Sequence, residues 1–299
     1  MGAEAGWPIV SIVTAAYNME ALVEETIRSV LAQDYPNLEY IVLDDGSKDG
    51  TRDVIARFAD RARVESHPNM GETRTVNRGF ELARGEIVGV VSADDPLMPG
   101  AIRKIVSVLQ ARPEVVVAYP DWLMIDGEGK VLKEIKTFDY DYVDMVRWHH
   151  CVPGPGALFR RSVVTALHGR DPQFRYVADF DFWLRAGLLG PFARVPETLA
   201  KYRWHAGSTS AAQQNLLMGE EHIRLVRKLY DLPGLPPEVQ RVRREAFSSA
   251  CYIAGIVCGN RPSWHKARYF AQALAYAPLK HAGEYRTRVR DMLLHLIRR

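Results

Sequence analysis

EIVGVVSADD, residues 86–95, is a run of β-prone apolar residues that stops at two adjacent carboxylates, Asp94 and Asp95, followed by Pro96. A short apolar run bounded by turn formers reads as a buried strand. The pattern repeats upstream. IVSIVT (9–14) is a β-branched run, and LEYIVLDD (38–45) is another that also ends in paired acids, Asp44 and Asp45. ARVESH (62–67) is a third, shorter strand, and EVVVAYPDWLMI (114–125) follows the fourth. Between them lie helical stretches. MEALVEETIRSVLAQ (19–33) spaces Leu22, Thr26, Ile27, Val30 and Leu31 along one face. SKDGTRDVIARFADR (47–61) reads as a helix capped by Ser47 or Asp49. GETRTVNRGFELARG (71–85) reads as a helix closed by Gly85, and GAIRKIVSVLQAR (100–112) as another. This alternation implies an α/β fold: a mostly parallel, twisted sheet flanked by helices on both faces. Such sheets bind ligands outside the carboxyl ends of their strands, where both acid pairs fall.

Past residue 130 the alternation weakens. KVLKE is a short strand and YDYVDMVRWH a short helix. CVPGPGALFRRSVV (151–164) carries a turn, a strand and a helix, and YVADFDFWLRAGLLG (176–190) is a helix with acids at its start. FARVPETLAKYRWH (192–205) reads as a strand pair. Beyond residue 212 the pattern is helical, broken at DLPGLPPE (231–238). The expected division is therefore a main domain over 1–212 and a helical C-terminal region over 213–299.

The 299 residues, 47% hydrophobic and 25% charged, have the composition of an ordinary globular protein, and no stretch approaches the roughly 20 apolar residues of a membrane span. The start MGAEAGWPIV lacks the charged and apolar regions of a leader, so a cytoplasmic location is expected. Three cysteines without a CxxC pair argue against a disulfide framework or a zinc site and read as small buried residues. The net charge of +3 is uneven: from Arg241 onward there are 12 Lys/Arg against 3 Asp/Glu. In EYRTRVRDMLLHLIRR (284–299), apolar residues face one way and arginines the other. Such a helix either lies on an anionic bilayer, which would make the protein peripheral to the membrane, or docks on its own domain or a second subunit of a homo-oligomer. No nucleic-acid partner is expected.

Asp94 and Asp95 have three readings on their own: a helix N-cap, general acid/base work, or a hard divalent cation completed by phosphate oxygens. Two acidic strand ends in one sheet repel each other unless a cation or ligand donors lie between them. Asp179 and Asp181 open the helix ADFDFWLR; two positions apart, they face different ways. His205 sits in a Gly/Ser loop after a strand.

VSIVTAAYN, LEYIVLDDGSKDGT, NMGETRTVNRGFELARGEIVGVVSADD, ADFDFWLR and YRWHAGSTS occur in this order, and together they resemble the family-2 glycosyltransferases. The resemblance covers roughly residues 8–212. It implies the Rossmann-like GT-A fold, with a nucleotide-binding half over about 8–97 and an acceptor-side half over about 98–212. It also implies inverting, metal-dependent transfer of a sugar from a nucleotide diphosphate to an acceptor hydroxyl. Carried over, Ala15 and Tyr17 line the base pocket, and Asp45 accepts the N3–H of uracil or thymine, favouring a UDP- or dTDP-sugar. Asp95 holds Mg2+ or Mn2+, with Asp94 beside it on the ribose or sugar. Asp179 resembles the catalytic base, His205 a loop histidine reaching metal or diphosphate, and Arg74 a phosphate contact. The acceptor is a glycan, a lipid-linked saccharide or a protein, and Trp122, Trp148 and His150 are candidates to stack on its sugar.

The chain departs from that pattern at Ser92, where the family has an additional Asp, at Ala178, where it has Glu, and at Ala15-Ala16, where it has Pro-Thr. A nucleotidyltransferase would want glycine and a basic residue in VTAAYNME, which has neither. A catalytically silent sugar-binding scaffold is the remaining alternative, held open by Ser92.

Overall fold

The computed structural model describes residues 6–205, 207–208, 215–259, 264–278 and 280. It divides into two compact units: Met1–Tyr142 with Cys151–Ala212, and Val143–His150 with Gln213–Arg299.

Four parallel strands build one side of the first unit: β1 (Val10–Ala16), β2 (Leu38–Asp44), β3 (Arg63–Ser66) and β4 (Ile87–Val90), in the order β3-β2-β1-β4. Val10, Ile12 and Val13 of β1 are wholly buried, as a parallel strand covered on both faces requires. Helix α1 (Val23–Leu31) buries Thr26, Ile27 and Val30 of the stripe read in the sequence, with Val23 completing the i, i+3, i+4, i+7 face while Leu22 and Leu31 stay half-buried at its edge. Helix α2 (Thr51–Ala56) is shorter than expected. Asp49 accepts the Thr51 N–H at its start, whereas Ser47 turns to the Asn18 N–H instead. Helix α3 (Glu72–Leu82) ends before Gly85 rather than at it. Gly85 is small for another reason: a Cβ there would lie 2.6 Å from the Ser11 nitrogen, so the chain entering β4 needs it to pass β1.

Helix α4 (Ala101–Ala111) returns the chain to β5 (Val117–Ile125), and β6 (Val131–Ile135) runs antiparallel beside it. Strand β7 (Leu158–Arg160) inserts antiparallel between β4 and β5. Helices α6 (Arg161–Leu167) and α7 (Ala178–Ala186) follow, α5 belonging to the second unit. The expected strand pair over 192–205 is one strand, β8 (Phe192–Arg203), parallel to β5. Its register slips opposite Pro120–Trp122, where Pro196 and its neighbours are unpaired extras. Proline cannot donate to a ladder, so it reads as a turn but is accommodated as a bulge. Past the bulge, Leu199 accepts the Met98 N–H and the Lys201 N–H donates to Pro96, tying the second half of β8 to the loop after Asp95.

The second unit is helical: α5 (Tyr142–Trp148), α8 (Leu216–Tyr230), α9 (Pro237–Arg241), α10 (Arg243–Val257) and α11 (Trp264–Tyr276). The Ser249 hydroxyl donates to the Arg147 carbonyl and that of Ser248 to Ala273, joining α5 and α11 to α10. His149 and His222 share a 2.8 Å hydrogen bond between their rings. Among the described residues no helix is long and apolar enough to cross a membrane. The basic amphipathic segment 284–299 lies outside the described residues. Of the cysteines, Cys251 is buried, as expected; Cys258 is half-buried, and Cys151 is exposed.

Candidate active site

The carboxyl ends of β1 and β2 form the floor. Asn18, in the left-handed region at φ 53° where Asn is tolerated, accepts the Lys48 N–H and receives Ser47 Oγ on its own N–H. The two loops are thereby zipped together. Ala15 is half-buried here and Tyr17 exposed. Asp44 folds back, accepting the Ser47 N–H and the Ser66 hydroxyl. Asp45 accepts the N–H groups of Met70 and Gly71 at 2.7 and 3.0 Å and the Asn69 amide at 3.1 Å. This carboxylate thus ties the turn after β2 to the loop that starts α3. Gly46, at φ +70°, lets that loop close in, since a Cβ would lie 2.6 Å from the Asn69 nitrogen.

The second wall joins the ends of β4 and β8. The Asp95 N–H turns back to the Ser92 carbonyl, and Asp95 Oδ1 accepts the Arg203 N–H at 2.8 Å. The Arg203 guanidinium is buried and donates to the carbonyls of Asp94, Asp126 and Gly127, with Glu25 as its ion partner. Asp94 Oδ2 lies 3.0 Å from His205 Nε2. His205 Nδ1 accepts the Gly207 N–H at 3.2 Å, so a neutral ring carries its proton on Nε2 and donates it to Asp94. Burial pushes the Asp95 carboxyl well above the ordinary carboxylate range, and the charge of Asp94 adds to the push. The Arg203 N–H and the Ser92 hydroxyl oppose it.

Helix α7 supplies the third part. Asp179 is exposed in its first turn, with Oδ1 on the Phe180 N–H. Asp181 is buried and pairs with Arg185 at 2.7 Å, so the two acids do different jobs: one open, one structural.

Glu72, at the start of α3, was not singled out from the sequence, because an acid there reads as a complement to the helix dipole. Its carboxyl is pushed up by the surrounding protein and by the charges of Asp179, Asp94 and Asp45, with Arg170 opposing. One carboxylate therefore lies within electrostatic reach of acids from all three parts of the site. Arg74 is exposed on α3, two positions from Glu72 and facing another way. Of the candidate stacking rings, Trp122 packs edge-on against Tyr202 and the core, while Trp148 and His150 lie in the second unit, stacked on each other. Arg203 and Arg170 were also missed. A single Arg inside a strand or turn carries no periodic signal.

Known proteins share this architecture. The profile of Glycosyl transferase family 2 matches residues 11–167. An uncharacterised glycosyltransferase of Haemophilus influenzae is 29% identical over 221 residues, 68% of each chain. One from Nostoc is 31% identical over 214 residues, 67% of this chain and 66% of that one. Among solved structures, Staphylococcus aureus TarS residues 1–349 in complex with UDP-GlcNAc superposes with a TM-score of 0.65 at 14% identity, covering 92% of both chains. A longer TarS chain is covered over 43% of its length. The mannosyltransferase PcManGT of Pyrobaculum calidifontis, in complex with GDP-Man and Mn2+, gives a TM-score of 0.65 at 18% identity, over 97% of this chain and 81% of that one. The fold is that of the GT-A enzymes, and the chain belongs to glycosyl transferase family 2.

Proposed function

We propose that this glycosyltransferase moves a sugar from a UDP- or dTDP-sugar to an acceptor hydroxyl with inversion at the anomeric carbon. The observation that carries the reading is the meeting of Asp94, Asp95 and His205 at the joined ends of β4 and β8, in one electrostatic neighbourhood with Asp179. The neighbours bound to UDP-GlcNAc and to GDP-Man support a nucleotide-sugar donor, and the latter a divalent cation.

The acids fit Mg2+ or Mn2+. Two adjacent carboxylates, one of them buried with its proton affinity raised, are the setting a cation relieves. Among the described residues no three His, Cys, Asp or Glu side chains converge into a protein cage. That suits a hard cation held by one or two carboxylates and completed by donor phosphates. Asp95 would hold it, with His205 in reach once its bond to Asp94 opens. When bound, such an ion offsets charge on the departing diphosphate as a Lewis acid.

The remaining work falls to the chain itself. Tyr17 and Ala15 seat the base. Asp45 already accepts three hydrogen bonds and keeps capacity for about one more, the N3–H of uracil or thymine. Asp94 takes a hydroxyl of the ribose or sugar, and Arg74 reaches for a phosphate. Asp179, open at the head of α7, takes the proton of the attacking hydroxyl, worth roughly 10²–10⁴ in rate. One base and attack opposite the leaving group give inversion. The test is calorimetry of UDP, dTDP, GDP and CDP with and without Mn2+. UDP or dTDP should bind in a Mn2+-dependent manner that Asp95→Ala abolishes. Binding indifferent to metal, or unchanged in Asp95→Ala, would overturn the reading.

A further inference from the structure

An ion pair within electrostatic reach of Asp179, Arg170 with Glu72, is left unused by the donor chemistry. Arg170 sits between α6 and α7, and its backbone is held by α3: the Asn77 amide donates to the Arg170 carbonyl at 2.7 Å and its oxygen accepts the Arg170 N–H at 2.8 Å. The Thr73 hydroxyl donates to the Phe174 carbonyl four residues on. From the other side, Arg185 donates to the carbonyls of Leu167 and Gly169. The segment is therefore clamped from both flanks.

The Arg170 side chain it carries is short of partners. It is 10% exposed, and Nε is buried with no hydrogen-bond acceptor among the described residues. Its ion partner is Glu72, with Nη1 3.6 Å from Oε1, against 2.7 Å for Arg185–Asp181 and Arg194–Asp121. A charge-assisted bond is about 2.7–2.9 Å long, so neither member is saturated by the other. Glu72 keeps 59% of its side chain open to solvent. A fixed guanidinium with spare donors beside an open carboxylate with spare lone pairs is a mixed donor–acceptor surface. Buried polar groups left short of partners call for an explanation, and a ligand is one.

We infer that Glu72 and Arg170 form a subsite that holds adjacent hydroxyls of a neutral saccharide acceptor next to Asp179. Each hydroxyl both donates and accepts, so one pair of them satisfies the carboxylate and the guanidinium together. An anionic sugar fits less well, because Asp45, Asp94 and Asp179 already crowd Glu72 with like charge. The Cys151 thiol lies within electrostatic reach of both Asp179 and Arg170. This subsite rests on the reading of Asp179 as the base and narrows the acceptor from any hydroxyl to a sugar ring.

The experiment uses the full chain saturated with UDP and Mn2+. Binding of methyl glucoside, methyl galactoside, methyl N-acetylglucosaminide and maltose is measured by saturation-transfer NMR, beside glucuronate and glucose 6-phosphate. At least one neutral glycoside should bind, and Glu72→Gln and Arg170→Lys should each weaken it by about tenfold, the loss of one hydrogen bond to a charged group. UDP–Mn2+ affinity should stay within about twofold. Three outcomes overturn the inference: no neutral glycoside binds, the anionic sugars bind better, or the variants weaken UDP–Mn2+ by the same factor. Glu72 is exposed, so its variant reports even where Arg170→Lys fails to fold. Absence of UDP–Mn2+ binding to the unaltered chain would instead fail the donor reading.

Discussion

The Arg203 backbone donates to the Asp95 carboxylate at 2.8 Å while its guanidinium donates to the Asp94 carbonyl at 3.1 Å. One residue at the end of β8 thus holds both members of the acid pair at the end of β4. Arg203→Ala leaves the carbonyls of Asp94, Asp126 and Gly127 without their donor. A buried carbonyl left without its donor costs about 1–3 kcal/mol, while Glu25, half open to solvent, is rehydrated. Urea denaturation should show the midpoint falling at unchanged slope, and UDP–Mn2+ affinity should fall with it.

Asp179→Asn keeps the shape of the side chain and removes its basicity. Transfer should drop by roughly 10²–10⁴ while UDP–Mn2+ binding stays intact. Parallel loss of nucleotide affinity, read by calorimetry, would move Asp179 out of the base role.

His205 meets Asp94 through Nε2 and is fixed through Nδ1 by the Gly207 N–H. His205→Ala should weaken Mn2+-dependent UDP binding by about 10–100-fold, the usual range for groups that orient or complete a metal site. Metal-free UDP binding should be unaffected. Titration of Mn2+ at fixed UDP separates the two.

The His149–His222 pair makes stability pH-dependent. Burial lowers the pKa of His222 from 6.5 to about 4, and burial together with the charge of His222 lowers that of His149 further below its usual value. A histidine that is a weaker base when folded takes up a proton on unfolding. Its contribution is complete above the unfolded value of 6.5 and drains as pH falls toward 4. His222 alone should cost about 2 kcal/mol at pH 5 relative to pH 8. Denaturation midpoints across that range check it, and His222→Gln should flatten the profile.

Cys151 is exposed, yet its surroundings and the charge of Asp179 push its thiol well above the usual range, with Arg170 opposing. The thiolate is the reactive form. Iodoacetamide at pH 8 should therefore label Cys151 more slowly than free cysteine, as peptide mass mapping would show.

The strands β1 to β4 and their helices were legible because their signals are local: Val10–Ala16 and Leu38–Asp44 are β-branched runs, and Val23–Leu31 carries a helical stripe. The insertion of β7 was not, since the choice of Leu158–Arg160 as partner for β4 is made across some 70 residues. Pro196 hid the continuity of β8 by mimicking a turn. At the site, acids at strand ends announced themselves through the break in apolar pattern. What those acids touch did not: the N–H groups that Asp45 accepts come from Met70 and Gly71, and any residue but proline could provide them. Arg170 and Glu72 gain meaning only through a shared distance, which no spacing encodes.

The strand order has an evolutionary consequence. Strands β3, β2, β1 and β4 lie side by side in parallel, whereas β5 borders β6, β7 and β8 through connections of very different length. Insertions in those connections can therefore be absorbed without disturbing the parallel ladder of β1 to β4.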